Sequence, residues 1–321
     1  MSLQEKVSLT STTMAGLERA PEQALSSAGC TIGIERLGIP TWDESDANLG
    51  VTNPSQVRGP EDPATAFPSS VALGATFSPE LAGQQGRALG AEARAKGLTV
   101  QLAGGMNLIR EPRGGRIFEY LSEDALLSGI MAVASIAGIQ SEGVISTLKH
   151  LLLAPQETGR VRVGSDLSEK AMRESDLLAL QIALEHGRPR SIMSACNMLN
   201  RKHTSENAFL ITEVLKGDWQ FKGFVMADWG STRSTEHAAL AGLDRQSGYD
   251  IDTEHFFGQP LAEAVEAGRV PIARGWTTWS PGSSRPCIRS TGSGIIASPR
   301  ASRPRSTQRW PVGSPSSRSR C

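Results

Sequence analysis

Between residues 60 and 260, short apolar runs alternate with longer amphipathic stretches. LTVQLA (98–103), GVISTLKH (143–150), RSIMSAC (190–196) and GFVMAD (223–228) have the length and near-continuous hydrophobicity of strands buried on both faces of a parallel sheet. Helical spacing and end signals recur between them. Ser78 as N-cap and Pro79 in the first turn open a helix that Gly97 can close. A second helix is expected from Ser168 through AMRESDLLALQIALEH to Gly187, and a third from Ser205 to about Gly217. Strands alternating with helices over about 250 residues predict an α/β fold, either a (β/α)8 TIM barrel or a doubly wound sheet.

The polar positions favour the barrel. Lys149-His150, Cys196-Asn197 and Asp228 each stand at the C-terminal end of a predicted strand, the rim where barrels gather their chemistry. A dinucleotide site is disfavoured, because GGMNLIREPRGG lacks the GxGxxG spacing and no ribose-binding acid follows it. Taken singly, each residue also has a plain reading. Asp228 could cap the next helix, Lys149-His150 could sit in a solvated loop, and Cys196 could be ordinary core. Arg116, in REPRGGRIFEYLSED, could reach inward or pair with Glu119, Glu123 or Asp124, and Asp46 is one of several acids and amides in IPTWDESDANLG.

Composition narrows the classes further. With 321 residues, 39% of them hydrophobic, the chain can bury a sizeable core. A formal net charge of zero hides an asymmetry: residues 275–321 hold eight arginines and no Asp, Glu or Lys, so the remainder is net negative. Of those 47 residues, 31 are Ser, Arg, Pro or Gly, too polar to offset the entropy of ordering, so a disordered tail after Arg274 is expected. Four cysteines (Cys30, Cys196, Cys287, Cys321) show neither CxxC nor Cys/His ligand spacing, so no metal site and no disulfide framework is indicated. No apolar stretch reaches the ~18 residues of a membrane span, and MSLQEKVSLTSTTMAG carries no leader pattern. The sequence as written therefore suggests a soluble chain without a membrane partner, and leaves localisation open.

In order along the chain, WDESDANLGVTNP, NLIREPRGGRIFEYLSED, STLKHLLLAPQETGR, IMSACNMLN, ENAFLITEVLKGDWQFKGFVMADWGST and AGLDRQSG resemble the barrel domain of family 3 glycoside hydrolases, of the β-glucosidase type. The resemblance extends over residues 1–274. It implies a TIM-barrel-like domain that needs no cofactor and acts on a β-glucoside or oligosaccharide. It places Asp228 as the nucleophile of a retaining exo-acting glycosidase, forming a covalent glycosyl-Asp intermediate. It makes Asp46, Arg116, Lys149 and His150 the residues that hydrogen-bond the nonreducing sugar, with Cys196 counted in the same substrate-binding set. The chemistry is coherent, since cations beside a carboxylate favour the ionised form that attack on an anomeric carbon requires.

Departures cluster around the same pocket. Cys196 stands where a Tyr is usual in Met-x-x-Tyr-Asn, Ile117 replaces an Asn, Leu151 and Pro155 replace a Phe and an Asn, and Arg201 replaces a Gly. In the resembled branch the acid/base is a Glu on a second domain that this sequence does not contain. The single-domain N-acetylglucosaminidase solution, Lys-His-x-Pro-Gly-His-Gly, is not present either. An inactive sugar-binding remnant is the competing expectation.

Relatives would continue VPIAR with a helix resembling Leu-Asp-Asp-Met-Val, whereas this chain reads Gly275-Trp276-Thr277-Thr278-Trp279-Ser280. Codons for those six residues permit Leu-Asp-Asp-Met-Val in a displaced frame. Residues 275–321 are therefore expected to come from a shifted reading frame, in preference to a basic tail that binds nucleic acid. A barrel without its last helix is expected to be marginally stable.

Overall fold

The computed structural model describes residues 1–14, 24–25 and 28–271. Its main sheet has the order β1 (Gly29–Thr31), β2 (Trp42–Ser45), β3 (Val100–Gln101), β4 (Ile145–Leu151), β6 (Ser191–Ser194) and β9 (Phe224–Met226). All four strands read from apolar runs are present, three of them shortened at both ends, while β4 starts later and extends one residue further, to Leu151. Successive side chains in each are buried, which is why these segments lack the polar alternation of a one-faced sheet.

From β2 to β9 the neighbours run parallel, whereas β1 is antiparallel to β2. Only residues 32–41 join that first pair, fewer than the dozen or so a parallel crossover takes. The sheet then curls until its two edges meet. Arg245 bridges in parallel to Met226, Gln246 bridges in parallel to Ser11, and Thr13 bridges antiparallel to Cys30. Backbone hydrogen bonds thus pass from β9 through residues 244–246 and 10–13 back to β1. Among the described residues the eightfold βα repeat expected from the sequence is met by a six-stranded sheet, one strand antiparallel, with two segments joined by isolated bridges between its edges. Residues 275–321, the boundary at Arg274, Cys287 and Cys321 lie outside the described residues.

The interior of this curl is charged. Glu44 on β2 is fully buried and pairs with the buried Arg245 at 2.6 Å, and the Arg245 guanidinium lies 5.5 and 5.6 Å from the rings of Trp42 and Phe224. Arg245 also donates to the Thr31 hydroxyl on β1. Burial pushes the Glu44 carboxyl up and the Arg245 guanidinium down, and each partner opposes the shift of the other.

Eight α-helices accompany the strands among the described residues: α1 (Leu3–Ser8), α2 (Ser70–Gly74), α3 (Pro79–Ala95), α4 (Ala125–Ser141), α5 (Glu169–Glu174), α6 (Asp176–Ile182), α7 (Glu236–Leu240) and α8 (Gln259–Glu266). α3 follows its sequence signals closely. The Ser78 hydroxyl accepts from the Leu81 N–H, Pro79 occupies the first turn, and Gly97 turns the chain out at φ +79°. The single helix expected from Ser168 to Gly187 is instead broken at Ser175. Its hydroxyl donates back to the Ala171 carbonyl and reaches Asp176, which Arg110 also grips, and the last turn widens to π geometry over residues 183–187. The third helix begins later than expected, as a π-helical run over Phe209–Asp218 after a 3₁₀ turn at Thr204–Glu206. A small second sheet, β5 (Gly164–Ser165), β7 (Met198–Leu199) and β8 (Lys202–His203), sits beyond β6. Asn200 and Arg201 turn its hairpin at φ +48° and +67°. Arg201 therefore occupies a left-handed position of the kind that favours glycine.

Helices α3 and α4 approach through glycines. A Cβ on Gly138 would lie 2.4 Å from the Gly83 carbonyl oxygen, whereas a Cβ on Gly83 would meet nothing closer than 3.6 Å. Gly138→Ala is expected to lower the stability by about 1–3 kcal/mol through overpacking, and Gly83→Ala to raise it by up to about 1 kcal/mol through helix propensity. Urea unfolding midpoints of the two variants measure the difference, and equal midpoints would contradict a backbone-tight seam.

Candidate active site

The strand ends bring five elements to one rim. Asp46 follows β2, Arg116 lies in the turn before the 3₁₀ segment Ile117–Glu119, β4 carries Lys149 and His150, Cys196 follows β6, and Asp228 follows β9. Adjacent strand residues normally point to opposite faces. Here the pairing of β4 with β6 slips between Lys149 and Leu151, so that His150 is an extra residue and both side chains of the doublet reach the rim.

Glu119 organises the cations. Its carboxylate accepts from Arg116 Nε at 2.8 Å and from Nη2 at 3.0 Å, and it lies 3.4 Å from Lys149 Nζ. Lys149 Nζ also donates to Asp46 Oδ1 at 3.3 Å. Burial alone would push the Glu119 carboxyl up, but Lys149 and Arg116 outweigh it and hold the group below its usual range. The same contact raises Arg116, against the lowering effect of its own burial. Of the pairings the sequence allowed for Arg116, the one with Glu119 is formed, while Asp124 caps α4 through the Leu127 N–H.

Asp228 is 7% exposed and caps no helix, α7 beginning only at Glu236. Its Oδ1 accepts from the Trp229 N–H at 2.8 Å, and its Oδ2 accepts from the Cys196 thiol at 3.1 Å. Burial, reinforced by the Asp228 charge, pushes the Cys196 thiol well up, which keeps it a protonated donor. His150 Nε2 stands 3.7 Å from Oδ2, outside hydrogen-bond range. Burial first, then Arg116, Lys149 and Arg160, hold His150 well below the ordinary imidazole range. The doublet read as possible solvated loop is thus buried in β4.

Every site residue read from the sequence reaches this rim, and three further groups were passed over. Arg160, in QETGR, donates to Glu157 Oε2 at 3.2 Å. Burial lowers its guanidinium, and the Cys196, Asp228 and Glu157 side chains more than offset that. Asn107 is 5% exposed and binds His150 three times over, and the Tyr120 hydroxyl lies 3.4 Å from His150 Nδ1. Asn107 lies four residues beyond the expected strand LTVQLA, farther from a strand end than Asp228 at the end of GFVMAD, so strand ends alone did not single it out. Among the described residues no group of three or more His, Cys, Asp or Glu is placed to hold a metal ion. Within the same residues no helix is long and apolar enough to cross a membrane.

A family model described as the glycosyl hydrolase family 3 N terminal domain matches residues 19–274. Probable beta-glucosidase J of Aspergillus fumigatus is 38% identical over 270 residues, covering 84% of this chain and 29% of that protein. A beta-glucosidase of Rhizobium radiobacter is 39% identical over 240 residues, covering 75% of this chain and 29% of its own length. Among solved structures, beta-glucosidase 3B from Thermotoga neapolitana in complex with glucose superposes with a TM-score of 0.79 at 36% identity, over 84% of this chain and 39% of that one. Beta-glucosidase from Kluyveromyces marxianus in complex with glucose gives 0.74 at 31% identity, over 85% and 31%. The chain thus spans less than a third of the length of these curated relatives.

Replacing Glu119 by Gln takes away the carboxylate that contacts both the buried Lys149 and the half-buried Arg116, and is expected to cost about 3–5 kcal/mol at neutral pH. Because the folded-state pKa of Glu119 is depressed, its contribution is fully present above the ordinary value of 4.5 and is lost as pH falls through the folded value. Urea unfolding of wild type and Glu119→Gln should therefore show a wide gap at about pH 7 that narrows toward about pH 3. A gap independent of pH would show that the ionised carboxylate is not what stabilises the rim.

Proposed function

The chain belongs to glycosyl hydrolase family 3, and on that premise we propose that it carries the nucleophile and sugar-binding residues of a retaining, exo-acting β-glycosidase of the β-glucosidase type. Residues 1–274 constitute the barrel domain in this reading. The observation that carries it is the state of Asp228: a buried carboxylate oriented by the Trp229 N–H and the Cys196 thiol at a rim where Lys149 and Arg116 also converge. Both hydrogen bonds hold the carboxylate in one orientation, as attack by one of its oxygens requires.

In the first step an Asp228 oxygen bonds to the anomeric carbon while the bond from that carbon to the glycosidic oxygen breaks. In the second, water attacks the same carbon as its bond to Asp228 breaks, giving up its proton to the acid/base residue outside the barrel, and the configuration is restored. Asp46, Lys149, Arg116 and His150 hold the hydroxyls of the terminal sugar, the charged contacts each contributing about 1.5–3 kcal/mol. Such contacts raise the rate to the extent that they tighten as the ring flattens toward an oxocarbenium ion. Glu119 is held ionised by its two cations and is a poor proton donor. Protonation of the leaving oxygen is instead assigned to a Glu outside the barrel, as the family resemblance implies. Glycosides of acidic phenols, which depart without a proton, are the substrates that report on Asp228 directly.

A 2-deoxy-2-fluoro β-glucoside with a dinitrophenolate leaving group is expected to add one fluoroglucosyl mass to the peptide containing Asp228. Asp228→Gly is expected to lose on the order of 10³-fold or more in activity on an activated aryl β-glucoside and to take no label. Labelling at any other residue would refute the assignment. Glucose binding by calorimetry without labelling or turnover would favour a sugar-binding protein, the reading that Cys196 and Ile117 at this rim would then explain.

A further inference from the structure

Resting on the sugar-binding role given to His150, we propose that Asn107 is a positioning residue that fixes His150 as a hydrogen-bond acceptor at Nε2, so that the site requires a sugar hydroxyl that donates its proton there. The argument begins with the orientation of one amide. Asn107 Nδ2 donates to the His150 carbonyl at 3.0 Å, and Asn107 Oδ1 accepts from the His150 backbone N–H at 2.9 Å. Exchanging oxygen and nitrogen would set NH₂ against N–H and carbonyl against carbonyl, so the backbone of His150 determines which way the amide lies.

The same Oδ1 lies 3.1 Å from His150 Nδ1. An amide oxygen can only accept, so Nδ1 must carry a hydrogen. With Nδ1 protonated, the ring is either neutral with a bare lone pair on Nε2 or an imidazolium with hydrogens on both nitrogens. The surroundings decide. His150 is 1% exposed, Arg116, Lys149 and Arg160 all repel a positive ring, and among the described residues Asp228 is the one carboxylate in ion-pair range, at 3.7 Å. Tyr120 meets the ring edge-on, and its hydroxyl, 3.4 Å from Nδ1, cannot donate to an atom that already carries a hydrogen. The ring is therefore neutral.

Among the described residues Nε2 has no hydrogen-bond partner. A buried acceptor left in that condition is costly unless something donates to it. Asp228 Oδ2, 3.7 Å away, is itself an acceptor. Two lone-pair-bearing atoms thus face the same space, and the group that fits there carries a hydrogen. A sugar hydroxyl qualifies, whereas an ether or fluorine at the same position does not.

The test uses the intact 321-residue protein labelled with ¹⁵N, with the His150 ring signals assigned by loss in His150→Gln. Long-range ¹⁵N–¹H spectra of the wild type are expected to show Nδ1 protonated and Nε2 bare across about pH 5–8. Asn107→Asp places a carboxylate where the amide oxygen was and is expected to favour the imidazolium. Both nitrogens then carry hydrogens at low pH, KM for an activated aryl β-glucoside rises about tenfold or more, and the loss recovers as pH rises through the imidazolium pKa of the variant. Asn107→Ala loosens the ring without charging it, so its KM change is expected not to follow pH in that way. A wild-type ring with hydrogen on Nε2 would overturn the proposal, as would an Asn107→Asp protein with a neutral ring or an unchanged KM. Should the variant fail to fold, the wild-type spectrum alone decides. A wild type that shows the expected ring state yet turns over no glucoside would sink the glycosidase reading and leave the role of Asn107 standing.

Discussion

One buried carboxylate holds the rim together. Arg116 comes from a loop and Lys149 from a strand, and both are too costly to bury alone. Glu119 accepts from one in bidentate fashion and sits 3.4 Å from the other. Without that anion the two cations would repel each other inside the protein with too little opposing charge to offset their burial. The Glu119 backbone participates too, since its carbonyl accepts from Asn48 on the loop after β2. A single residue thereby ties together the segments that carry Asp46, Arg116 and Lys149.

A comparable arrangement occupies the centre of the curled sheet. Arg245 joins Glu44 of β2 and Thr31 of β1 while lying against Trp42 and Phe224. The pair spans the region where β9, the 244–246 segment and β1 approach one another, where the backbone provides only isolated bridges. Charge and ring contacts supply registration there that a full parallel ladder would otherwise give. Such pairs are poor contributors to net stability compared with apolar packing, and their better-attested use is to specify one arrangement among several.

Much of this was legible in the sequence because it follows from local pattern. Four apolar runs gave four strands, Ser78, Pro79 and Gly97 bounded α3, and the polar residues ending those runs gathered at one rim. What was not legible depends on contacts between distant segments. The break at Ser175 reflects a side chain bonding back to Ala171 and an Asp176 drawn toward Arg110, and helical periodicity passes over both. The antiparallel β1 follows from a short connection whose flanking strand, Gly-Cys-Thr, carries no alternation to read. Glu119 looked like one of three interchangeable acids near Arg116, and its contacts with both Arg116 and Lys149 single it out. Asn107 is invisible as chemistry until His150 is seen lying against it.

The slipped pairing of β4 has an implication for how this site can change over time. Because the doublet reaches the rim through one supernumerary residue, the length of the segment matters as much as its letters. Point replacements at 149 or 150 alter what is presented while leaving the presentation intact. Loss of a single codon there would restore even pleating and rotate half the pair away from the rim, whichever amino acids remained. Drift in this stretch is therefore expected to proceed by substitution alone, with insertions and deletions accumulating in the loops on either side.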